Sequence, residues 1–165
     1  MRHTTVDSPI GPLLLVRSDV GLVGLYLSPH QGQHGPQQGW VHDDAAFADL
    51  TAQLDAYWAG ELHAFDLPLD LQGTTFQRRV WAELLRIPYG KTTSYGAIAA
   101  DLDAPGAARA VGLANGRNPV SVVVPCHRVI GSTGALTGYG GGLPNKRFLL
   151  THEAQHSPDA ALALF

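Results

Sequence analysis

VSVVVPCHRV, residues 120–129, ends a run rich in β-branched residues with a proline and then places cysteine, histidine and arginine in succession. The β-branched residues predict a strand over 120–124, because such side chains favour extended backbone. Pro125 would end that strand and present Cys126 just beyond the edge of a sheet. Cys126 is the only cysteine of the chain, so neither an internal disulfide nor a cysteine-rich metal site can form. The thiol is therefore either a nucleophile or a small buried hydrophobe.

Charge is distributed unevenly along the 165 residues. Residues 1–73 hold nine acidic and two basic side chains, a net charge of −7, whereas residues 74–150 hold nine basic and three acidic ones, a net charge of +6. Such asymmetry is expected when one part of a chain meets a polyanion and the other does not. With Gly73 as the boundary, we predict an N-terminal domain at 1–73, a C-terminal domain at 74–155 and a tail at 156–165.

The composition argues against a membrane or secreted protein. Hydrophobic residues make up 45% of the chain, and no segment approaches the roughly 20 apolar residues of a membrane span. Residues 1–5 lack the apolar core of a secretion signal. One unpaired cysteine suits a reducing compartment. We therefore expect a cytoplasmic protein with no membrane association.

The first half of the chain predicts strands followed by a helix. Apolar runs at 13–16 and 22–27 are typical of two strands. Apolar residues then recur every three to four positions over 44–59, which indicates a helix, and Gly60 suits its end. A strict alternation of apolar residues over 65–71 predicts a half-buried strand.

A metal site is the alternative interpretation of three histidines, His30, His34 and His42, in and after a loop rich in Gln, Gly and Pro. Cysteine or acidic ligands at suitable spacing are missing from this part of the sequence. We therefore predict no metal site.

The second half is expected to be mainly helical. An apolar stripe over 76–85 predicts a helix that ends before Pro88. Ser94 can cap a second helix, and a third begins near Ala107, after the break at Pro105-Gly106. The last two helices form a helix-turn-helix candidate, although such pairs are also common as simple packing units.

The third helix has an unusual outward face. At about 100° per residue its side chains divide between two faces. One face holds Ala110, Val111 and Ala114, and the other holds Arg109, Gly112 and Gly116. A solvated helix would usually carry long polar side chains there, because glycine destabilises a helix by about 1 kcal/mol per site. Small residues instead allow close approach to another surface, and the positive charge of this half indicates a nucleic-acid groove.

The run Pro125-Cys126-His127-Arg128-Val129 resembles the active-site signature of the O6-alkylguanine-DNA alkyltransferases. The spacing of further motifs matches the same family. These motifs are Asn118-Pro119, Tyr139 followed by Gly140-Gly141-Gly142, Glu153, Pro88-Tyr89-Gly90, Ser94-Tyr95-Gly96 and the run Ala107 to Gly112. The resemblance is dense from Phe76 to Glu153 and weak before Phe76.

The resemblance implies an α/β protein in which an RNase H-like N-terminal domain supports a mainly helical C-terminal domain with a winged-helix-like helix-turn-helix. It implies DNA repair by irreversible transfer of an alkyl group from O6 of guanine, and also from O4 of thymine, to the Cys126 thiolate. The product is S-alkylcysteine, and the thioether has no ready leaving path, so each molecule acts once. No cofactor is needed, because the lesion supplies the alkyl group.

The partner that the resemblance implies is duplex DNA containing O6-alkylguanine, bound through the minor groove by a protein that is a monomer in solution. The damaged base must leave the stack before chemistry can occur. Whether molecules cluster on DNA stays open.

Roles for individual residues also follow from the resemblance. In the family a water relays the thiol proton to a histidine held by a glutamate, which implies these roles for His127 and Glu153. Tyr95 resembles the residue that crowds the phosphate of the flipped nucleotide and helps to protonate the leaving guanine. Asn118 resembles the asparagine that braces the cysteine turn.

Arg109 resembles the finger that fills the vacated base stack. The other DNA contacts that the resemblance implies are Ala108, Gly112, Asn115, Arg128, Thr92 and Tyr95. The residues that would line the pocket for the flipped base are Tyr139, Gly140, Gly141, Val129 and Asn115. The family more often carries a bulkier apolar residue at the position of Asn115.

Three other functions remain to be weighed. An alkyltransferase-like protein that only binds lesions shares the scaffold but lacks the cysteine, which is present here. A helix-turn-helix regulator would not need the Pro-Cys-His-Arg-Val run and usually binds paired half-sites as a dimer. A cysteine hydrolase would turn over and would not need DNA. The zinc site of some relatives needs extra cysteines that this chain lacks.

Overall fold

The computed structural model describes residues 1–28 and 35–158, so His30 and His34 lie outside the described residues. Within these ranges no helix is long and apolar enough to cross a membrane. The N-terminal part forms a four-stranded sheet in the order β3-β2-β1-β4. Its strands are β1 (Arg2–Val6), β2 (Leu13–Arg17), β3 (Leu22–Leu27) and β4 (Val41–His42).

Strands β2 and β3 confirm the two apolar runs of the sequence, and they pair antiparallel. Strand β1 was missed, because its sequence RHTTV offers little apolar alternation. It pairs antiparallel with β2, which sets Thr4 opposite Leu15. Thr4 is buried there, and its hydroxyl donates a hydrogen bond to Asp44. This bond satisfies the buried hydroxyl, so a polar side chain is tolerated inside the sheet.

The first helix forms where the apolar repeat predicts it. A 3-10 turn at Asp44–Phe47 is capped by the Asp43 carboxylate and leads into α1 (Ala48–Trp58). Leu50, Leu54 and Tyr57 are the buried residues of α1 and join the common core. Gly60 follows in the left-handed region at φ 79°, a conformation that suits glycine at a helix end.

The predicted strand over 65–71 is wrong. Only Leu69 bridges the sheet, in parallel with Leu22, through hydrogen bonds from Leu22 N to Pro68 O at 2.9 Å and from Asp70 N to Leu22 O at 2.8 Å. Pro68 lacks an amide hydrogen and cannot extend a ladder. The apolar alternation is nevertheless used, because the leucines of this segment pack against the core.

The C-terminal part is mainly helical. It contains α2 (Thr75–Leu84), β5 (Thr93–Ser94), α3 (Tyr95–Asp101), α4 (Ala108–Gly116), a 3-10 turn at Cys126–Arg128, β6 (Val129–Ile130) and α5 (Leu143–His156). A capping box of Thr74 and Gln77 starts α2, and the Ser94 side chain caps α3 as predicted. Helix α4 packs against both α2 and α3, and Trp81 Nε1 donates to Ala114 O at 2.8 Å.

The predicted strand over 120–124 is also wrong. Val120 makes a single parallel bridge to Leu25 on the edge strand β3, and the chain then turns. Val122 lies in the left-handed region at φ 72°, and Val123 N donates to Ser121 O at 2.8 Å to close a three-residue turn. The β-branched residues here fill a buried turn, because the tertiary contacts around them outweigh their preference for extended backbone.

Candidate active site

Cys126 begins the 3-10 turn Cys126–Arg128 and is 3% exposed. A second tight turn precedes it, in which Cys126 N donates to Val124 O at 2.8 Å. The Asn118 side chain braces this segment. Its Nδ2 donates to Val124 O at 2.8 Å, and its Oδ1 accepts from Val120 N at 3.0 Å.

Burial dominates the electrostatics of the thiol. It raises the pKa of Cys126, while the nearby Asn118 amide, the charge of Lys146 and the nearby Tyr139 hydroxyl lower that pKa by less. The resting protein therefore holds a protonated thiol at neutral pH. A base is needed to generate the nucleophile.

His127 and Glu153 form a buried pair. His127 Nε2 lies 2.7 Å from Glu153 Oε2, and the two side chains are 0% and 1% exposed. Burial raises the pKa of Glu153, but hydrogen bonds and charges from His127 and Arg128 outweigh burial and hold that pKa well below its ordinary value. Glu153 is therefore ionised and accepts hydrogen bonds only.

The pairing sets the tautomer of His127. Burial lowers the pKa of His127 more than Glu153 raises it, so the ring is neutral at neutral pH. Because Nε2 faces an ionised carboxylate, Nε2 carries the hydrogen and Nδ1 carries the lone pair. Nδ1 is buried and has no hydrogen-bond partner among the described residues. His127 therefore offers a base nitrogen on the side away from Glu153.

Arg128 is not a surface residue, which corrects its assignment as a DNA contact. It is 7% exposed, with Nε 2.7 Å from Glu153 Oε1 and Nη2 3.0 Å from Glu153 Oε2. Its Nη1 donates to Ile87 O at 2.7 Å, and the guanidinium lies 5.7 Å from the centre of the Tyr89 ring. All three nitrogens are engaged inside the protein, so Arg128 neutralises Glu153.

Tyr57 of α1 also binds the carboxylate, and the sequence analysis missed it. Its hydroxyl donates to Glu153 Oε2 at 2.7 Å, across 96 residues of chain. Tyr57 belongs to the apolar stripe of α1, so no sequence signal separates it from an ordinary core residue.

Lys146 of α5 is a second residue that the sequence analysis missed. It is fully buried, and its Nζ donates to Val129 O at 2.6 Å and to Thr137 O at 3.0 Å. Burial lowers the pKa of Lys146, and Cys126 raises it in part. Lys146 therefore ties the loop before α5 to β6 and places a positive charge near the thiol. Its spacing in the sequence does not distinguish it from a surface lysine.

The wall beside Cys126 comes from the loop before α5. Tyr139 and Gly140 are half-buried and Gly141 is buried. A Cβ at Gly141 would lie 2.6 Å from Leu27 Cδ2 and 2.8 Å from the Tyr139 ring, so a larger residue there would displace one of these side chains. Tyr95 reaches the same loop, with its hydroxyl 2.8 Å from Thr137 Oγ1.

Asn115 and Val129 lie on the inner side of the site. Asn115 is 2% exposed, and its Nδ2 donates to Cys126 O at 3.3 Å. This position corrects its assignment as a DNA contact and leaves it among the residues around the thiol. Val129 is fully buried, and its carbonyl accepts from Lys146.

Helix α4 presents a mixed outward face. Arg109 is exposed and has no hydrogen bond or ion pair within residues 1–28 and 35–158. Ala110 is exposed, which corrects its assignment to the inner face, and Leu113 is 66% exposed one turn beyond Arg109. Gly112 is half-buried. A Cβ built on Gly112 would lie 3.7 Å from the Tyr95 ring, which is an ordinary contact distance.

The other expected DNA contacts lie on either side of Arg109. Ala108 is half-buried beside it, and Thr92 is exposed immediately before β5. In the described part of the chain, no cluster of three or more His, Cys, Asp or Glu side chains could hold a metal ion.

Two family models cover nearly the whole chain. The model described as "6-O-methylguanine DNA methyltransferase, ribonuclease-like domain" matches residues 1–71, and the one described as "6-O-methylguanine DNA methyltransferase, DNA binding domain" matches residues 75–155. The chain belongs to the 6-O-methylguanine DNA methyltransferase family.

Individual members of the methyltransferase family are similar over their full length. The methylated-DNA--protein-cysteine methyltransferase of Mycolicibacterium paratuberculosis is 56% identical over 165 residues, which is 100% of this chain and 99% of the relative. The Mycobacterium leprae protein of the same name is 54% identical over 98% of this chain and 96% of its own. The crystal structure of Mycobacterium tuberculosis OGT in complex with DNA superposes with a TM-score of 0.89 at 51% identity, covering 100% of both chains. These similarities confirm the family and the α/β fold class that the sequence predicts.

Proposed function

We propose that the protein repairs DNA by transferring an alkyl group from O6 of guanine to Sγ of Cys126. The observation that carries this proposal is the buried Cys126 thiol beside a neutral His127 whose Nε2 is held by ionised Glu153. This constellation lies in a member of the methyltransferase family, whose curated relatives are named for cysteine alkylation by methylated DNA.

The reaction balances without a cofactor. The bond from Sγ to the alkyl carbon forms as the bond from that carbon to O6 breaks, and guanine leaves with the electron pair. The thiol proton passes to His127 Nδ1 through a bridging water, and the leaving guanine takes up one proton. Tyr95 is suited to donate that proton, because its hydroxyl lies beside the pocket loop at Thr137. Solvent then returns a proton to Tyr95 and removes the one held by His127, so the charges cancel. S-alkylcysteine cannot return to the thiol, so each molecule acts once.

Arg109 is suited to replace the flipped base. It is an exposed cation near the start of α4, flanked by small side chains and free of internal partners among the described residues. The net charge of +6 over 74–150 favours the DNA backbone. We propose binding through the minor groove, with Ala108, Gly112 and Thr92 near the backbone.

The flipped base would bind against Tyr139, Gly140 and Gly141, with Val129 and Asn115 on the inner side. The close packing of Gly141 on Leu27 and on the Tyr139 ring supports this arrangement, because Tyr139 lies close enough to Cys126 for the two side chains to interact. We also propose that the protein repairs O4-alkylthymine. We further propose that it is a monomer in solution and is located in the cytoplasm.

Duplex DNA that carries a labelled O6-methyl group tests the function. The wild-type protein is expected to become labelled in a 1:1 burst without turnover. Cys126→Ser should take up no label and still bind the lesion DNA, because the serine hydroxyl has a far higher pKa than the thiol. Labelling of the serine variant would contradict the mechanism, and release of labelled methanol with turnover would indicate a hydrolase.

A further inference from the structure

The N-terminal domain reaches the Glu153 carboxylate directly. Oε2 of Glu153 accepts from three groups in the described ranges: His127 Nε2 at 2.7 Å, Arg128 Nη2 at 3.0 Å and the Tyr57 hydroxyl at 2.7 Å. Of these three donors, Tyr57 is the one that comes from the N-terminal half. We propose that Tyr57 is a positioning residue for alkyl transfer, whose hydroxyl holds Glu153 Oε2 against His127. This inference rests on the proposed function.

Tyr57 is held rigidly enough to position another group. It is fully buried. Its backbone carbonyl accepts from His152 Nε2 at 2.7 Å, and its hydroxyl donates to the next residue of α5, Glu153. The ring is packed by other aromatic rings whose centroids lie 5.0 to 6.2 Å away, namely Trp58, His152, Phe65 and Tyr89. Both ends of Tyr57 are thus fixed to α5.

The hydroxyl donates to the carboxylate. Burial and the neighbouring Glu153 carboxylate raise the pKa of Tyr57 far above its ordinary value, so Tyr57 stays protonated. Its bond shares Oε2 with the bonds from His127 Nε2 and Arg128 Nη2.

Loss of this bond would remove one of the restraints on the carboxylate. Arg128 binds both oxygens of Glu153 through Nε and Nη2, whereas His127 binds Oε2 alone. Without the Tyr57 hydroxyl, Oε2 keeps His127 Nε2 and Arg128 Nη2 as its donors among the described residues, and the position of His127 is less firmly fixed. A base that is not held in position accepts a proton less efficiently.

The charge balance at Oε2 would change as well. The charged groups that act on His127 are Glu153 and Lys146 from α5 and Arg128 from the 3-10 turn. Tyr57 from α1, Tyr89 after α2 and Tyr139 before α5 also face Glu153. Removing one donor leaves more negative charge at Oε2 toward His127, which favours the imidazolium form. The pKa of His127 then rises. The fall in the rate of alkyl transfer on the acid side of the pH profile therefore begins at higher pH.

Tyr57→Phe removes only the hydroxyl and keeps the ring packing. The measurement is the single-turnover rate of labelling by free O6-benzylguanine base as a function of pH, which needs no DNA. We expect a plateau about tenfold below wild type, since a general base as a whole contributes about 10²–10⁴-fold. The acid limb should shift to higher pH, and affinity for lesion DNA should not change. Tyr26→Phe, a hydroxyl deletion on β3, is the matched control and should behave as wild type.

A double-mutant cycle separates positioning from packing. If Tyr57 acts through Glu153, Tyr57→Phe should have no further effect in a Glu153→Gln background. Should Glu153→Gln fail to fold in thermal melts, the same cycle is run in His127→Gln. If Tyr57→Phe lowers the rate in either folded variant background by the same factor as in the wild type, the proposal is wrong. It is also wrong if the Tyr57→Phe variant keeps the wild-type rate and pH profile. Failure of the wild type to take up label would instead overturn the proposed function itself.

Discussion

Glu153 shows how a buried charge is stabilised in this protein. Removing a carboxylate from water costs several kcal/mol unless partners replace the hydration. Within the described residues the two oxygens of Glu153 receive hydrogen bonds from Tyr57, Gly90, His127 and Arg128. The depressed pKa of Glu153 contributes stability that is present above about pH 4.3, the ordinary value, and lost as pH falls through the folded value. The same contacts orient His127.

The rate of alkyl transfer should be insensitive to pH around neutrality. Burial lowers the pKa of His127, so the base stays neutral to below about pH 6.5, its ordinary value. Burial also raises the pKa of Cys126, so no direct thiolate contribution is expected below about pH 8.5. We therefore expect a flat profile between these limits and a fall on the acid side. Single-turnover labelling by free O6-benzylguanine measures it, and a half-maximal rate at pH 6.5 or above would contradict the assignment of His127.

Helix α4 combines a packed inner face with an exposed face on which Arg109 and Leu113 are the two large side chains. Val111 and Ala114 are buried against α2 and α3, while Arg109 and Gly116 are exposed. Glycine within a helix costs about 1 kcal/mol relative to alanine. The apolar contacts of the inner face offset this cost. The outer face can then approach a groove closely.

Arg109→Ala should slow repair of duplex DNA far more than reaction with free O6-benzylguanine. The free base needs no flipping, so the side chain that replaces the flipped base has no role in its reaction. We expect about a tenfold or greater loss on duplex DNA, in keeping with an unstacking cost of a few kcal/mol. Arg147→Ala, which removes the same charge from α5, is the control and should weaken DNA binding without this selectivity. Equal losses on both substrates would assign Arg109 to the fold or the pocket.

The two halves of the chain meet at the reacting residue. Val120 extends the edge of the sheet at Leu25, Tyr57 binds Glu153, and Leu27 packs on Gly141. Cys126 therefore lies at the junction, 3% exposed, between the fully buried Val124 and Val129. A change of volume at Sγ is transmitted to both halves, because packed interiors yield little.

Methylation of Cys126 should lower the stability of the protein. The product adds a methyl group to a packed site, and overpacking commonly costs about 1–3 kcal/mol. It also removes the thiol proton and changes the polar surroundings of Sγ, where Asn118 and Tyr139 lower the pKa of the thiol. Each kcal/mol lowers the Tm of a domain of this size by about 2–4 °C.

Thermal melts before and after reaction with methylated DNA, with the DNA removed, measure this loss of stability. Proteolysis should also become faster after methylation. Cys126→Ser treated in the same way is the control and should not change. An unchanged or higher midpoint for the methylated wild type would show that the pocket already has room for the product.

Local signals predicted much of the fold. Strands β2 and β3, the helix after Asp44 and the Ser94 cap all follow from patterns within a few residues, because periodicity and capping act over one or two turns of chain. The resemblance to the alkyltransferase family supplied the expected roles of Cys126, His127 and Glu153 as nucleophile, base and carboxylate. Their spacing carried the family resemblance that the comparisons confirm.

Contacts between distant parts of the chain decided the rest. The β-branched run before Pro125 became a buried turn because Leu25 and Asn118 take its backbone hydrogen bonds. Arg128 turned inward because Glu153 lies 25 residues away in sequence yet 2.7 Å from its Nε. In the sequence Tyr57 looks like an ordinary core residue and Lys146 like an ordinary surface residue. Only the folded chain brings Tyr57 to the Glu153 carboxylate and Lys146 close to the Cys126 thiol. Residue types and local patterns specify the chemistry and most of the elements, whereas burial and partner choice depend on packing across tens of residues, which no local pattern encodes.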